Sequence, residues 1–463
     1  MVDLILKNGT VATMNERREV IENGSVVIEE NRIRDVDNTK QINKQYSAER
    51  EIDCEGKLIL PGLVDSHVHL GQALIRACAD DMPLVPWLKE RVLPLQGIAY
   101  EKGDGKLSAK LCALEMIKSG TTTFVEALLH GKYIEEMIEG IVESGMRGAI
   151  SKSLMNQPDY ADQSGAIPKC MRENGEKTLQ QTRKLIDKWH GAADNRIHIW
   201  YGLRTPGGAT VDFYRRAAEE AKEHDTGFTI HLAEVKDDIR YLENEFGMTP
   251  MEFMKHCNIV GENTIYAHGV WLPEKDFQII KENNCTLSHN PASNLKLGSG
   301  IAPIPEMLNH GVNVALGCDG GPSNDNYDMI REMKLAALIH KGRKLDPTLM
   351  PAETILKMAT INGARGTVWD SDIGSLEPGK LADIIVVNLN KVHSAPVRNP
   401  ISNLVYAGHE GNVETTIING NIIMESREIR TLDEEKILKE VIKQASKIDE
   451  RLNLNIDTRW PKI

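Results

Sequence analysis

The sequence predicts an α/β fold, a TIM-type (β/α)8 barrel with a small β-sandwich domain built from both chain ends. Three observations carry this expectation. Between about residue 61 and residue 369, short apolar runs alternate with helical stretches, the pattern of a parallel sheet with crossover helices. Eight such runs can be marked over roughly 300 residues, which favours a closed barrel over the open doubly wound alternative. Strand-like segments with turn signals stand at both ends of the chain.

In the first 57 residues, segments 3–14, 24–29 and 32–36 carry the Val and Ile, broken by Asn8-Gly9 and Glu30-Asn31. The stretch 36–51 is polar and reads as loop. The eight central strands are expected at 63–69, 121–126, 147–153, 196–203, 228–232, 264–268, 285–289 and 312–319. Helical stretches separate them, such as 106–119 and 327–341. The latter repeats Ile330, Met333 and Ala337, with Ser323 or Asn324 as candidate caps. Strands return at 382–387 and 413–418, followed by the hairpin signal Asn419-Gly420. Residues 433–452 read as an exposed amphipathic helix rich in Lys and Glu. The expected division is therefore 1–57 plus 370–430 for the composite β domain, 58–369 for the barrel, and 431–463 for a helix and tail.

A chain of 463 residues, 41% hydrophobic and 26% charged, has ample apolar material for a large core. Its net charge of −12 argues against nucleic acid or an anionic membrane as partner. The start lacks a basic region followed by a long apolar stretch, so no signal peptide is expected. No apolar run reaches membrane-spanning length. Seven cysteines, at 54, 78, 112, 170, 257, 285 and 318, are odd in number and contain no Cys-x-x-Cys pair. That suits reduced thiols in a cytoplasm.

The polar residues that close these strands carry the chemistry. In Val64-Asp65-Ser66-His67-Val68-His69, residues two apart share a face of the strand, with α-carbons roughly 6.6 Å apart. Two imidazoles so placed can converge on one ion, although His-x-His alone also fits two unrelated histidines. His231 closes the fifth strand, His268 the sixth and Asp319 the eighth. In a closed barrel these ends surround one mouth. Imidazoles with a carboxylate form a borderline-soft donor set that suits Zn²⁺ or Fe²⁺ and disfavours Mg²⁺ or Ca²⁺. Glu234, three residues past His231, would face away if the strand continued, so it is expected in the loop over the mouth. There it suits a proton shuttle to a substrate ring nitrogen.

Pro61-Gly62-Leu63-Val64-Asp65-Ser66-His67-Val68-His69, His231-Leu232-Ala233-Glu234, Ser288-His289-Asn290-Pro291-Ala292-Ser293-Asn294 and Ser323-Asn324-Asp325 resemble the amidohydrolase superfamily. The branch they resemble holds atrazine chlorohydrolase, melamine deaminase and the methylthioadenosine/S-adenosylhomocysteine deaminases. The likeness runs nearly end to end and includes Gly247-Met248-Thr249-Pro250 and the run Gly374-Ser375-Leu376-Glu377-Pro378-Gly379-Lys380-Leu381-Ala382-Asp383. It implies one divalent metal per subunit, zinc first and iron as the alternative, held by His67, His69, His231 and Asp319. Two-metal relatives end the fourth strand in a carboxylated lysine, where this chain has Arg204; Lys152 ends the third strand instead. The resemblance implies that Asp319 takes a proton from water, His268 orients that water, and Glu234 protonates the ring. It also implies a cytoplasmic homo-oligomer.

The implied reaction is hydrolytic replacement of an amino group on an electron-poor N-heterocycle of pyrimidine, purine, pterin or triazine type. The alternatives are release of chloride or an alkylamine from an s-triazine, or deamination of methylthioadenosine or S-adenosylhomocysteine. A non-catalytic scaffold would have shed ligands, and none is missing. Around the pocket the chain departs from the nucleoside deaminases it resembles. Gln96 stands where they place a ribose-binding glutamate, Lys152 where they have arginine, and Arg204 where they have histidine. Trp87 and Gln96 are shared in type with the triazine branch, but Gly320 follows Asp319 where atrazine chlorohydrolase has asparagine. Trp87 is expected to stack on the ring and Arg204 to pair with a carbonyl or carboxylate, with His289 and Asn290 lining the pocket.

Overall fold

A computed structural model describes residues 1–129, 132–157, 174–453 and 460. The chain ends form one sheet and the middle another. The first sheet begins with β1 (Val2–Ala12), β2 (Val20–Glu29), β3 (Arg32–Asn38), β4 (Ala48–Asp53) and β5 (Leu58–Pro61). β1 pairs with β2 along one side; on the other, residues 2–7 pair with β4 and residues 10–11 with β5. The sheet forks at Asn8-Gly9, where Asn8 adopts a positive φ of 63°. Leu4, Leu6, Val26 and Ile28 pack in one cluster with Ile59, Ile384, Val386 and Ile417 from the other arm, which gives the two layers of the sandwich.

The stretch 36–51 is not all loop. Thr39–Gln45 is a helix capped by Asn38, and β4 adds a polar strand at the sheet edge. Its sequence Ala-Glu-Arg-Glu-Ile-Asp hides a strand because only backbone pairing holds it there.

The apolar run from residue 58 is shared between the sheets. β5 belongs to the first, and after Gly62 the chain enters the barrel as β6 (Leu63–His69). Next come β7 (Thr121–Leu129), β8 (Arg147–Leu154), β9 (Ile197–Leu203), β10 (Phe228–Leu232), β11 (Thr264–His268) and β12 (Thr286–His289), each parallel to the one before. The last strand is broken. β13 (Asn313–Leu316) pairs with β12, while β14 (Asp319–Gly320) pairs with β6 and closes the ring. At the break, a Cβ on Gly317 would stand 2.7 Å from Ser288 Oγ and 2.8 Å from His67 Cβ, so no larger residue fits.

Period-2 alternation separates the two faces of these strands. Phe124, Ile150, Ile199, Tyr201 and Tyr266 pack in the main core with the surrounding helices. Val125, Ala149, Trp200 and Ile265 instead cluster with Val64 and with Trp369, Ile373 and Leu381 of the returning chain, which plug the barrel base. The helix expected from residue 327 runs Met329–Lys344 and is capped by Asp328, not by Ser323 or Asn324. Those two lie in a separate turn, Gly321–Asn324, which Asp325 ends with a φ of 64°.

After the barrel, β15 (Ile384–Val387), β16 (Val413–Ile418), β17 (Asn421–Glu425) and β18 (Glu428–Ile429) complete the first sheet. Asn419 and Gly420 both take positive φ, the two-residue hairpin turn their order predicts. The helix Glu434–Arg451 buries Ile437 and Ile448, and Lys118–Glu434 and Arg451–Asp104 ion pairs tie it to the helix Asp104–Lys118. Six cysteines are free and buried; Cys170 lies outside the described residues. Among the described residues no helix is long and apolar enough to cross a membrane.

Candidate active site

The strand ends bring four imidazoles and a carboxylate to one point. Ligand atoms of His67, His69 and His231 lie within 4.8 Å of one another, as do those of His67, His268 and Asp319. Asp319 Oδ1 is 3.2 Å from His69 Nε2 and 3.5 Å from His67 Nε2. His231 Nε2 stands 3.3 Å from His69 Nε2.

Backbone geometry aims several of these groups. Alternation alone would send His268 to the helix side with Tyr266. Its φ of 75° turns the side chain inward. Ala233, with φ 53°, ends β10 and swings the chain, after which the backbone N–H groups of Glu234 and Val235 both donate to the Asp238 carboxylate. Glu234 thereby comes over the mouth, Oε2 3.7 Å from His268 Nε2 and Oε1 accepting from Ser299 Oγ at 3.3 Å. Positive φ at non-glycine residues is costly and collects at functional sites. Here it falls on Ala233, His268 and Asp319.

Hydrogen bonds set the imidazole tautomers. His231 Nδ1–H donates to the Arg204 carbonyl at 3.0 Å, and His268 Nδ1–H donates to Asn294 Oδ1 at 2.9 Å. Both Nε2 atoms are left with lone pairs facing the cluster. His268 Nε2 and both ring nitrogens of His67 are buried without a hydrogen-bond partner among the described residues. Burial lowers His67 to about 4 and His231 well below the imidazole range, so both are neutral at physiological pH. Burial opposes ionisation of Asp319 too, but the adjacent His67 and His69 imidazoles hold its carboxyl well below its usual range. The neutral imidazoles of His67 and His231, an anionic carboxylate, and ring nitrogens of His67 and His268 without a partner among the described residues fit a divalent metal ion.

Burial pushes Glu234 up to about 7. Two carboxylates that the sequence reasoning did not single out share this behaviour, Asp65 and Glu126, both raised to about 7 by burial. Asp65 Oδ1 accepts from the backbone N–H of His67 and of Cys318, linking the first strand to the last. Glu126 accepts from the N–H of Leu70 and of Leu128 and stands 4.0 Å from His69 Nδ1. Its one signal in sequence is a lone carboxylate inside the apolar run Phe124-Val125-Glu126-Ala127-Leu128-Leu129.

The expected pocket residues fare unevenly. Gln96 donates to the Gly71 carbonyl at 3.2 Å and so sits against the turn that follows His69. Lys152 is buried at the end of β8 and donates to the Ser153 carbonyl at 2.7 Å. Arg204 contributes its carbonyl to His231, and its positive charge bears on His69. Asn290 is fully buried, its amide unpartnered among the described residues and close to Gly317. His289 Nε2 faces His340 Nε2 at 3.2 Å. Trp87 packs with Leu74, Ile75, Val92, Tyr100 and Ile448 in an apolar cluster beneath the C-terminal helix.

Residues 58–423 match the amidohydrolase family. The chain is 37% identical over 450 residues to a 5-methylthioadenosine/S-adenosylhomocysteine deaminase of Thermoanaerobacter pseudethanolicus, covering 97% of this chain and 100% of that one. It is 36% identical to a 5'-deoxyadenosine deaminase of Methanosarcina acetivorans, with 98% and 100% covered. Among solved structures, an adenosine deaminase from Xanthomonas campestris with bound zinc superposes with a TM-score of 0.90 at 25% identity, over 97% of this chain and 99% of that one. Atrazine chlorohydrolase TrzN from Arthrobacter aurescens, complexed with zinc, gives 0.85 at 24% identity, over 96% and 100%; that likeness concerns the fold.

Proposed function

The chain belongs to the amidohydrolase family, and from that premise we propose that it is a deaminase of amino-substituted N-heterocycles. It works with one divalent ion, zinc first, held by His67, His69, His231 and Asp319. The observation that carries this reading is the convergence of those four side chains with His268 and Glu234 at one barrel mouth. When bound, such an ion acidifies water enough to make hydroxide available near neutral pH. Asp319 keeps a carboxylate oxygen to receive the water's proton. His268, its Nδ1–H fixed on Asn294, directs Nε2 at the same water. Glu234, raised to about 7, is protonated in about half of the molecules at neutral pH and delivers that proton to the ring nitrogen beside the attacked carbon. The ring then accepts charge as the adduct forms, and ammonia leaves.

The relatives' names make the 6-aminopurine ring of an adenine nucleoside the first substrate to test. Gln96 differs from the glutamate expected at a ribose, and Lys152 and Arg204 from the arginine and histidine of the nucleoside deaminases, so the proposal rests on the ring and not on the sugar. Gln96 also favours a second reading, release of chloride or an alkylamine from an s-triazine. Metal analysis of the purified protein should give one ion per chain; two would overturn the mononuclear site. Ammonia release from adenosine derivatives, guanine, aminopyrimidines, pterins and aminotriazines tests the reaction. Chloride or alkylamine release from chloro- or alkylamino-substituted s-triazines, without ammonia, would install the second reading, and none of these products would sink both.

A further inference from the structure

Gln72 stands three residues beyond His69, in the 3-10 turn Leu70–Ile75. Gly320 directly follows Asp319. The two are complementary in space. A Cβ built on Gly320 would lie 1.8 Å from Gln72 Oε1 and 2.8 Å from Gln72 Cδ, so the carboxamide fills the volume where any side chain at 320 would begin. Gly320 pairs with His69 across the β14–β6 ladder, and paired residues of parallel strands project to one face. The same Cβ position is 3.5 Å from His69 Cβ, which puts the carboxamide beside His69 and one residue from Asp319. Gln72 is 6% exposed, and its Oε1 is buried with no hydrogen-bond partner among the described residues. A buried amide oxygen without a donor is costly, and a bound donor would relieve it.

We propose that Gln72 Oε1 is a specificity-determining acceptor for an N–H of the substrate's exocyclic amino group, and that glycine at 320 makes room for it. This rests on the deaminase reading, in which the amino-bearing carbon lies beside Asp319. Gln72 binds and orients the amino group and takes no part in proton transfer. The smallest change at 320, Gly320→Ala, would displace the carboxamide and so act on specificity without altering Gln72 itself.

The test is equilibrium binding by calorimetry of ring pairs that differ only by an amino or a methyl group at the reacting carbon, alongside ammonia release. Wild type should prefer the amino ring. Gln72→Leu and Gly320→Ala should each remove roughly tenfold of that preference, with thermal unfolding reporting that the variants are folded. Gln72→Met, which keeps length without an acceptor, serves if the leucine variant does not fold. A folded Gln72→Leu or Gln72→Met variant with the wild-type amino-over-methyl ratio overturns the proposal. A wild type that binds no such ring and releases no ammonia overturns the functional reading beneath it, a distinct result because no preference then exists to be lost.

Discussion

Glu234 owes its position to Ala233, whose φ of 53° lies in a region that side-chain-bearing residues seldom adopt. Without that turn, strand alternation would carry the carboxylate away from the mouth. Counting residues past His231 was enough to place Glu234 in a loop, because alternation is a property of sequence. Gln72, Glu126 and Asn294 were not legible in this way. Gln72 gains its place when β14 closes on β6, Glu126 when β7 lies beside β6, and Asn294 when the turn after β12 meets the end of β11. Glu234→Gln should cut kcat by about 10²–10⁴-fold while leaving metal content unchanged, as read by steady-state kinetics and metal analysis. Because burial raises this carboxyl to about 7, the proton it donates is present below that pH and lost above it. The wild-type kcat/KM should therefore descend as pH rises past about 7, and the residual rate of Glu234→Gln should lack that limb.

Between elements, one buried ion pair joins the barrel to the sheet of the chain ends. Arg147 at the start of β8 donates from Nε to Asp383 Oδ2 at 2.8 Å and from Nη2 to Oδ1 at 3.2 Å, with side chains 0% and 2% exposed. Asp383 Oδ1 also accepts from the N–H of Asn419, at the β16–β17 hairpin turn. Removing one partner of such a pair leaves the other charge buried alone, so Asp383→Ala should cost about 3–5 kcal/mol in chemical denaturation. The run ending in Asp383 was recognisable in sequence as a motif, but its partner 236 residues away was not. The same limit explains the edge strand Ala48–Asp53, whose polar sequence carries no pattern until β1 lies beside it. Barrel strands were legible because each is a short apolar run between turns. The break within the last strand was not, since it follows from ring closure at Gly317 and Cys318.

At the scale of the whole molecule, the protein interior holds carboxyl groups that folding forces toward the neutral form. Glu332 is the clearest, buried between Asn324 Nδ2 at 2.7 Å and the Ala292 N–H at 3.4 Å, and raised by burial to about 8. Its unfolded value is near 4.5, so between the two the native state holds a proton that the unfolded chain has released. Stability then falls with rising pH, by up to about 1.4 kcal/mol per pH unit for one such proton. The contribution is fully present below about 4.5 and is lost as pH climbs to about 8. Asp65 and Glu126, both raised to about 7, act in the same direction. Glu332→Gln keeps the shape and the acceptor for Ala292 but cannot ionise. Denaturation midpoints of the two proteins, compared across pH 5 to 9, should therefore diverge in favour of the variant as pH rises. Parallel curves would mean that Glu332 is ionised in the native state throughout, its charge held by Asn324 and the Ala292 N–H alone.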